Sequence, residues 1–136
     1  MSAVRHDRLG DGLLAGEGRL MPGELVRLRA SHCLACERWE FPALTYCPGC
    51  EGRPESSALS AQATVVGVTA VLHPPPGALI EVPYTVALAA FPEGVAVLGV
   101  VTADLADVPL GQRVETVAIL VGERAGYGFQ LSQGAA

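Results

Sequence analysis

All four cysteines of this 136-residue chain fall between positions 33 and 50, as two C-x-x-C pairs, Cys33/Cys36 and Cys47/Cys50. Each pair can close a tight knuckle that presents both sulfurs to one side. Four soft thiolates with no other ligand type close by suit a tetrahedral zinc. Four cysteines also fill the coordination shell. The expected Zn2+ is therefore structural, with no open position for water or substrate. His32 adjoins Cys33 and offers a fifth donor, but its position fits a hinge residue before the knuckle.

Two disulfides are the main rival to a metal. The N-terminus lacks the basic, apolar and small-residue sequence of an export signal, so a reducing cytoplasmic location is expected, where thiols persist. A redox C-x-x-C sits at a strand-to-helix turn of a βαβ unit, and no such unit follows here. Between the knuckles, a short hairpin with Trp39 and Phe41 on one arm and Tyr46 on the other is expected to bring the pairs together, giving a rubredoxin-like zinc ribbon. The two rings of Trp39 and Phe41 can form the ribbon's own small core or anchor it in a partner's groove.

The elements around the ribbon follow from composition. Residues 1–30 read as an N-terminal extension, with Leu25, Val26 and Leu28 alternating with Arg27 and Arg29 in an extended run toward the first knuckle. Residues 31–53 are the ribbon, and 54–60, polar and rich in breakers, read as a linker. From residue 61 to 136 β-branched runs alternate with turn residues. Strands are expected near 63–73, 84–91, 95–102, 113–121 and 127–131. Five short strands without helical periodicity predict a mainly β protein whose second domain is a five-stranded OB-fold barrel.

Both parities of residues 84–91, 95–101 and 117–121 are apolar. A small barrel buries only its inner face, so part of its outer surface is expected to be covered by another chain. No uninterrupted apolar run reaches the length of a membrane span, since Pro92-Glu93-Gly94 breaks the longest one. All nine basic residues are arginines, the formal net charge is −5, and only Arg113 and Arg124 lie beyond residue 60. A nucleic-acid site needs a cationic stripe to displace counterions from phosphates, so a nucleic-acid-binding ribbon and OB module is the weaker alternative.

Several landmarks occur together: the four-cysteine ribbon with Phe41-Pro42 between its pairs, His73-Pro74-Pro75-Pro76, Pro83-Tyr84, and Leu110-Gly111-Gln112-Arg113-Val114. In that order they resemble the zinc-ribbon and OB-fold proteins known as domain of unknown function 35, from about residue 20 to 131. The resemblance implies a non-catalytic accessory subunit that docks on a thiolase-superfamily enzyme. Such a subunit would serve acyl-CoA binding, assembly or channelling of intermediates, with the CoA thioester as the partner's substrate. The alternative within the family is a subunit of a hydratase or acyltransferase complex.

Trp39, Phe41, His73, Pro75 and Tyr84 are the candidate contacts to that partner or to acyl-CoA. Where the family often carries proline and arginine after the Phe-Pro step this chain has Ala43 and Leu44, and Pro74 stands where a basic residue is common, which gives it little with which to grip CoA phosphates itself. His73 can exchange a hydrogen bond with a ligand or simply end a strand, and the prolines can form a stiff rim or merely stop the sheet. Motifs for a phosphate loop, a serine elbow or a zinc protease are missing from the sequence, and the cysteines are all assigned to metal. Enzymatic activity of the chain alone is accordingly not expected.

Overall fold

The structure is a computed structural model that describes residues 23–73, 83–121 and 124–132. The first sheet is small. Strand β1 (Arg29–His32) lies between β2 (Trp39–Glu40) and β3 (Glu55–Ala58), antiparallel to both. The register places His32 opposite Trp39 on one side and opposite Glu55 on the other.

This arrangement differs from the expected hairpin. Tyr46 stands on no strand and is 59% exposed, and the partner that completes the sheet comes from after the second knuckle. Residues 54–60, read from sequence as a linker, thus contain a strand. Glu55, Ser56 and Ser57 have no strand-like side chains, but their backbone satisfies the free edge of β1, and Leu59 continues the match by donating to the Leu28 carbonyl at 2.9 Å.

The second sheet closes into a barrel in the order β4 (Gln62–Val71), β5 (Tyr84–Ala90), β6 (Ala96–Val101), β8 (Arg124–Leu131), β7 (Arg113–Val121), with β7 returning to β4. Only β6 and β8 run parallel, as in the OB-fold expected from the sequence. A turn of 3-10 helix, Leu105–Asp107, lies between β6 and β7.

Closure depends on β4 bending enough to pair with two neighbours. Its register slips between Val65 and Gly67, a bulge that lets residues 62–64 pair with β7 while residues 64–71 pair with β5. The turn expected at Pro92–Gly94 is present. Gly94 adopts φ +96° and its amide donates to the Phe91 carbonyl at 2.9 Å.

Alternation in the approach to β1 carries through into packing. Val26, Leu28 and Ala30 are buried, whereas Leu25 and Arg27 face out. The segment lies along β7, with Val26 donating to the Thr116 carbonyl at 3.0 Å and Leu25 bridging to Val117. The C-terminal part of the predicted extension is therefore built into the fold. Val26, Leu28, Ala30 and Leu59 share one core with Val65, Ala87, Ala89, Val101, Val114 and Phe129, and Trp39 and Phe41 pack against it. Ribbon and barrel are joined by a common apolar interior.

Candidate metal centre

Each knuckle is a five-residue turn of the same design. In the first, the Cys33 amide donates to the Arg38 carbonyl at 2.9 Å and the Glu37 amide to the Cys33 carbonyl at 2.7 Å. In the second, the Cys47 amide donates to the Gly52 carbonyl at 2.9 Å and the Glu51 amide to the Cys47 carbonyl at 2.8 Å. The turns reverse at Glu37 and Glu51, which adopt φ values of +62° and +61°.

That conformation crowds a Cβ, so glutamate here stores strain that glycine would not. The nearby Gly49 and Gly52 do not take over this role, since neither has a positive φ. Gly52 serves close approach instead: a Cβ there would sit 3.3 Å from the Cys50 sulfur and 3.6 Å from that of Cys33. Glu37→Gly is expected to stabilise the folded protein by about 0.5–1 kcal/mol, the relieved strain less the added backbone entropy of the unfolded chain. A raised denaturation midpoint checks this, and a lowered one would contradict it.

The four sulfurs all lie within 4.8 Å of one another and form a group that can hold a metal ion. Cys33 and Cys50 are 3.5 Å apart and Cys36 and Cys47 3.4 Å. None of these pairs approaches the roughly 2.05 Å of a disulfide. A tetrahedron with bonds of about 2.3 Å has edges of about 3.8 Å, so the observed cage fits an ion of zinc's size and softness. Within each pair the first cysteine is buried and the second exposed.

Local amides prepare the inner sulfurs for ionisation. The Cys36 N–H, above all, holds the Cys33 thiol down to about 6 against the desolvation that opposes it, with help from the Cys50 sulfur and the Ala35 N–H. Cys47 is likewise lowered, first by the Cys50 N–H and further by that of Gly49. For Cys36 the Arg38 N–H also lowers the thiol, but the Cys47 sulfur, burial and the other two sulfurs outweigh it and push it up to about 12. Cys50 is raised in the same way, its Gly52 N–H outweighed by the Cys33 sulfur, burial and the Cys47 sulfur. Four sulfurs this close cannot all shed their protons against one another. A dication at the centre removes that conflict, which is the electrostatic signature of a thiolate metal site.

The remaining candidates are dispersed. His32 stacks on Trp39 across the β1–β2 pair, with ring centroids 4.3 Å apart, and is not a member of the sulfur cluster. Phe41 meets Tyr127 edge-on at 6.1 Å, Tyr127 meets Phe129 at 6.1 Å, and Phe129 meets Phe91 at 6.2 Å. The ribbon is thus tied to the barrel through a line of rings. Tyr127, whose hydroxyl donates to the Leu98 carbonyl at 2.6 Å, was not singled out from sequence, although an aromatic between Gly126 and Gly128 was the available signal. His73 is exposed just past the end of β4, and Tyr84, half-buried, opens β5 opposite Val71. Pro75 lies outside the described residues. Trp39 and Phe41 are partly buried and pack against the shared core.

Two family descriptions match the chain. Residues 26–55 match "ChsH2, rubredoxin-like zinc ribbon domain" and residues 57–119 match "ChsH2, C-terminal OB-fold domain". A search of curated proteins gives no match. Among solved structures, a chain of an "Ltp2-ChsH2(DUF35) aldolase" superposes with a TM-score of 0.67 at 23% identity, covering 77% of this chain and 84% of that one. A DUF35 protein of unknown function from Sulfolobus solfataricus superposes with a TM-score of 0.55 at 20% identity, covering 78% and 76%. At these identities the structural likeness speaks to the fold. With both domain types matched in order and the four-sulfur knuckles in place, the chain belongs to the zinc-ribbon and OB-fold family, domain of unknown function 35.

Proposed function

We infer that the protein is a non-catalytic accessory subunit that docks on a thiolase-superfamily enzyme and supports its acyl-CoA binding, assembly or passage of intermediates. The observation that carries this reading is the closed sulfur centre. Every thiol of the chain is drawn into one four-membered cage, which leaves no ligand position for substrate and no cysteine to act as a nucleophile. Zn2+ held by Cys33, Cys36, Cys47 and Cys50 would fix the ribbon's shape, and the chemistry would belong to a cysteine of another chain.

Two further points support it. The similar structure named above is described as an aldolase of two named components, Ltp2 and ChsH2. The barrel's sequence carries only Arg113 and Arg124 as basic residues, a poor surface for phosphates, so the CoA moiety is assigned to the partner. Contact of His73, Pro75 and Tyr84 with that partner or its acyl-CoA is part of this proposal.

The test is reconstitution. The protein is expected to co-purify from its native cells with a thiolase-like chain, and that enzyme should lose most of its turnover when this subunit is left out. Full activity of the partner without it would overturn the reading. Turnover of an acyl-CoA by this chain alone would overturn the non-catalytic assignment.

A further inference from the structure

We propose that Arg38 is a positioning residue of the metal centre: it spans both knuckles, shields the Cys36 and Cys47 thiolates, and leaves Cys50 as the ligand most open to electrophiles and the first to leave the metal. This rests on the four sulfurs holding Zn2+ and does not depend on which enzyme the chain serves.

Arg38 belongs to the first knuckle by its backbone and to the second by its side chain. Its carbonyl accepts from the Cys33 amide at 2.9 Å and closes the first turn. Its side chain crosses to Gly49, which lies between Cys47 and Cys50. A Cβ on Gly49 would stand 3.4 Å from Arg38 Nη1, 3.5 Å from Arg38 Cδ and 3.7 Å from the Cys47 sulfur. The guanidinium and that sulfur thus flank the one point that glycine leaves free.

Arg38 Nε donates to the Glu40 carboxylate, and Glu40 is fixed on β2 opposite Ser31. The ribbon sheet therefore aims the cation at the second knuckle. Glu40 does most to favour the charge on the guanidinium, and against some desolvation the Cys47 and Cys36 sulfurs add to it.

The other half of the cage has no such cover. Cys50 is exposed, whereas Cys33 is buried. Gly52 stands against both of their sulfurs and brings no charge. Arg53, which follows, is exposed, and among the described residues no hydrogen bond or ion pair holds its side chain over Cys50.

Zn2+ with four thiolates carries a net charge of about −2, and the attack of a sulfur on an electrophile depends on the electron density it keeps. A cation beside Cys36 and Cys47 draws off that density where it stands and stabilises the charged cage. The Arg38 and Glu40 side chains are 51% and 29% exposed, so the effect is local and screened by salt. Partners that tune metal ligands in this way are typically worth about 10–100-fold in metal affinity, and a half-exposed arginine belongs at the lower end.

The test treats the full-length, zinc-loaded protein with iodoacetamide. The attacking sulfur forms a bond to its carbon as iodide leaves with the electron pair of the C–I bond. A colorimetric chelator reads zinc release, and peptide mass spectrometry locates the label. In the wild type Cys50 is expected to be labelled first, ahead of Cys36 by at least about threefold in rate, and the gap should narrow in about 1 M salt, where the screening length falls to about 3 Å. Arg38→Met keeps the length of the side chain without its charge; it should speed zinc release about tenfold and bring Cys36 up to the rate of Cys50. Arg38→Lys should keep most of the shielding, which a role in packing alone does not predict. Labelling of Cys36 before or level with Cys50 in the wild type overturns the proposal, as does an Arg38→Met protein that changes neither rate nor order. Wild-type protein that purifies without zinc, read before any reagent is added, removes the metal assignment and this proposal with it.

Discussion

Stripping the metal with a chelator should unfold residues 29–58 and lower the melting temperature of the barrel as well. The ribbon alone has little to hold it: β2 is two residues long, and its largest apolar contacts are Trp39 on His32 and Phe41 on Tyr127. Metal binding in units of this kind is worth about 10–16 kcal/mol apparent, as much as the whole net stability of an ordinary domain. Leu28 and Leu59, side by side at the end of the β1–β3 pair, are fully buried in the core shared with the barrel. When β1 and β3 separate, that part of the core is exposed to water. Hydrogen exchange with and without chelator measures this directly. Loss of protection throughout β1 and β3, with partial loss in β7, is the expected pattern. Cys33→Ser and Cys47→Ser should reproduce it without a chelator. Retained protection of β1 and β3 in metal-free protein would show that packing alone holds the ribbon.

The second large effect is expected at the point where β6 and β8 run side by side. Phe129 is fully buried and touches Phe91 and Tyr127. It can lie flat there only because Gly99 faces it, since a Cβ on Gly99 would stand 2.6 Å from Phe129 Cε2 and 3.0 Å from Tyr127 Cε2. Phe129→Ala removes the largest core side chain and should cost about 3–5 kcal/mol. For a domain of this size that lowers the melting temperature by roughly 10–20 °C. Gly99→Ala should cost about 1–3 kcal/mol through overpacking. Combined with Phe129→Leu, which withdraws the ring, the two should sum to less than their separate costs by about 1 kcal/mol or more. Strict additivity in thermal melts would show that the glycine and the ring do not share that space.

The sequence disclosed what side-chain chemistry determines and concealed what backbone pairing determines. Ligand type and spacing made Cys33, Cys36, Cys47 and Cys50 readable, and the sulfurs do converge. The five barrel strands were visible because β-branched runs alternate with Pro and Gly, and the observed β4 to β8 match them to within a few residues. The uncharged outer face was also visible, since both parities of β5 and β6 are apolar and only one can face inward.

By contrast, Glu55–Ala58 look like a linker because nothing in Glu-Ser-Ser-Ala favours a strand. It becomes one because β1 needs a partner for its free backbone groups. The reversals at Glu37 and Glu51 were hidden for a related reason. Glutamate is a poor choice for a positive φ, and only the pull of the four sulfurs on one point explains why it is tolerated. The union of ribbon and barrel through Phe41 and Tyr127 joins residues too far apart in the chain for any local pattern to show.

X-ray absorption at the metal edge of the purified protein tests the central claim most directly. One equivalent of zinc surrounded by four sulfurs at about 2.3 Å, with no nitrogen or oxygen neighbour, is the result the closed structural centre requires. A shell of three sulfurs and a water or histidine would mean an open, reactive metal, and a metal-free protein with an intact ribbon would mean that the sulfurs serve some other purpose.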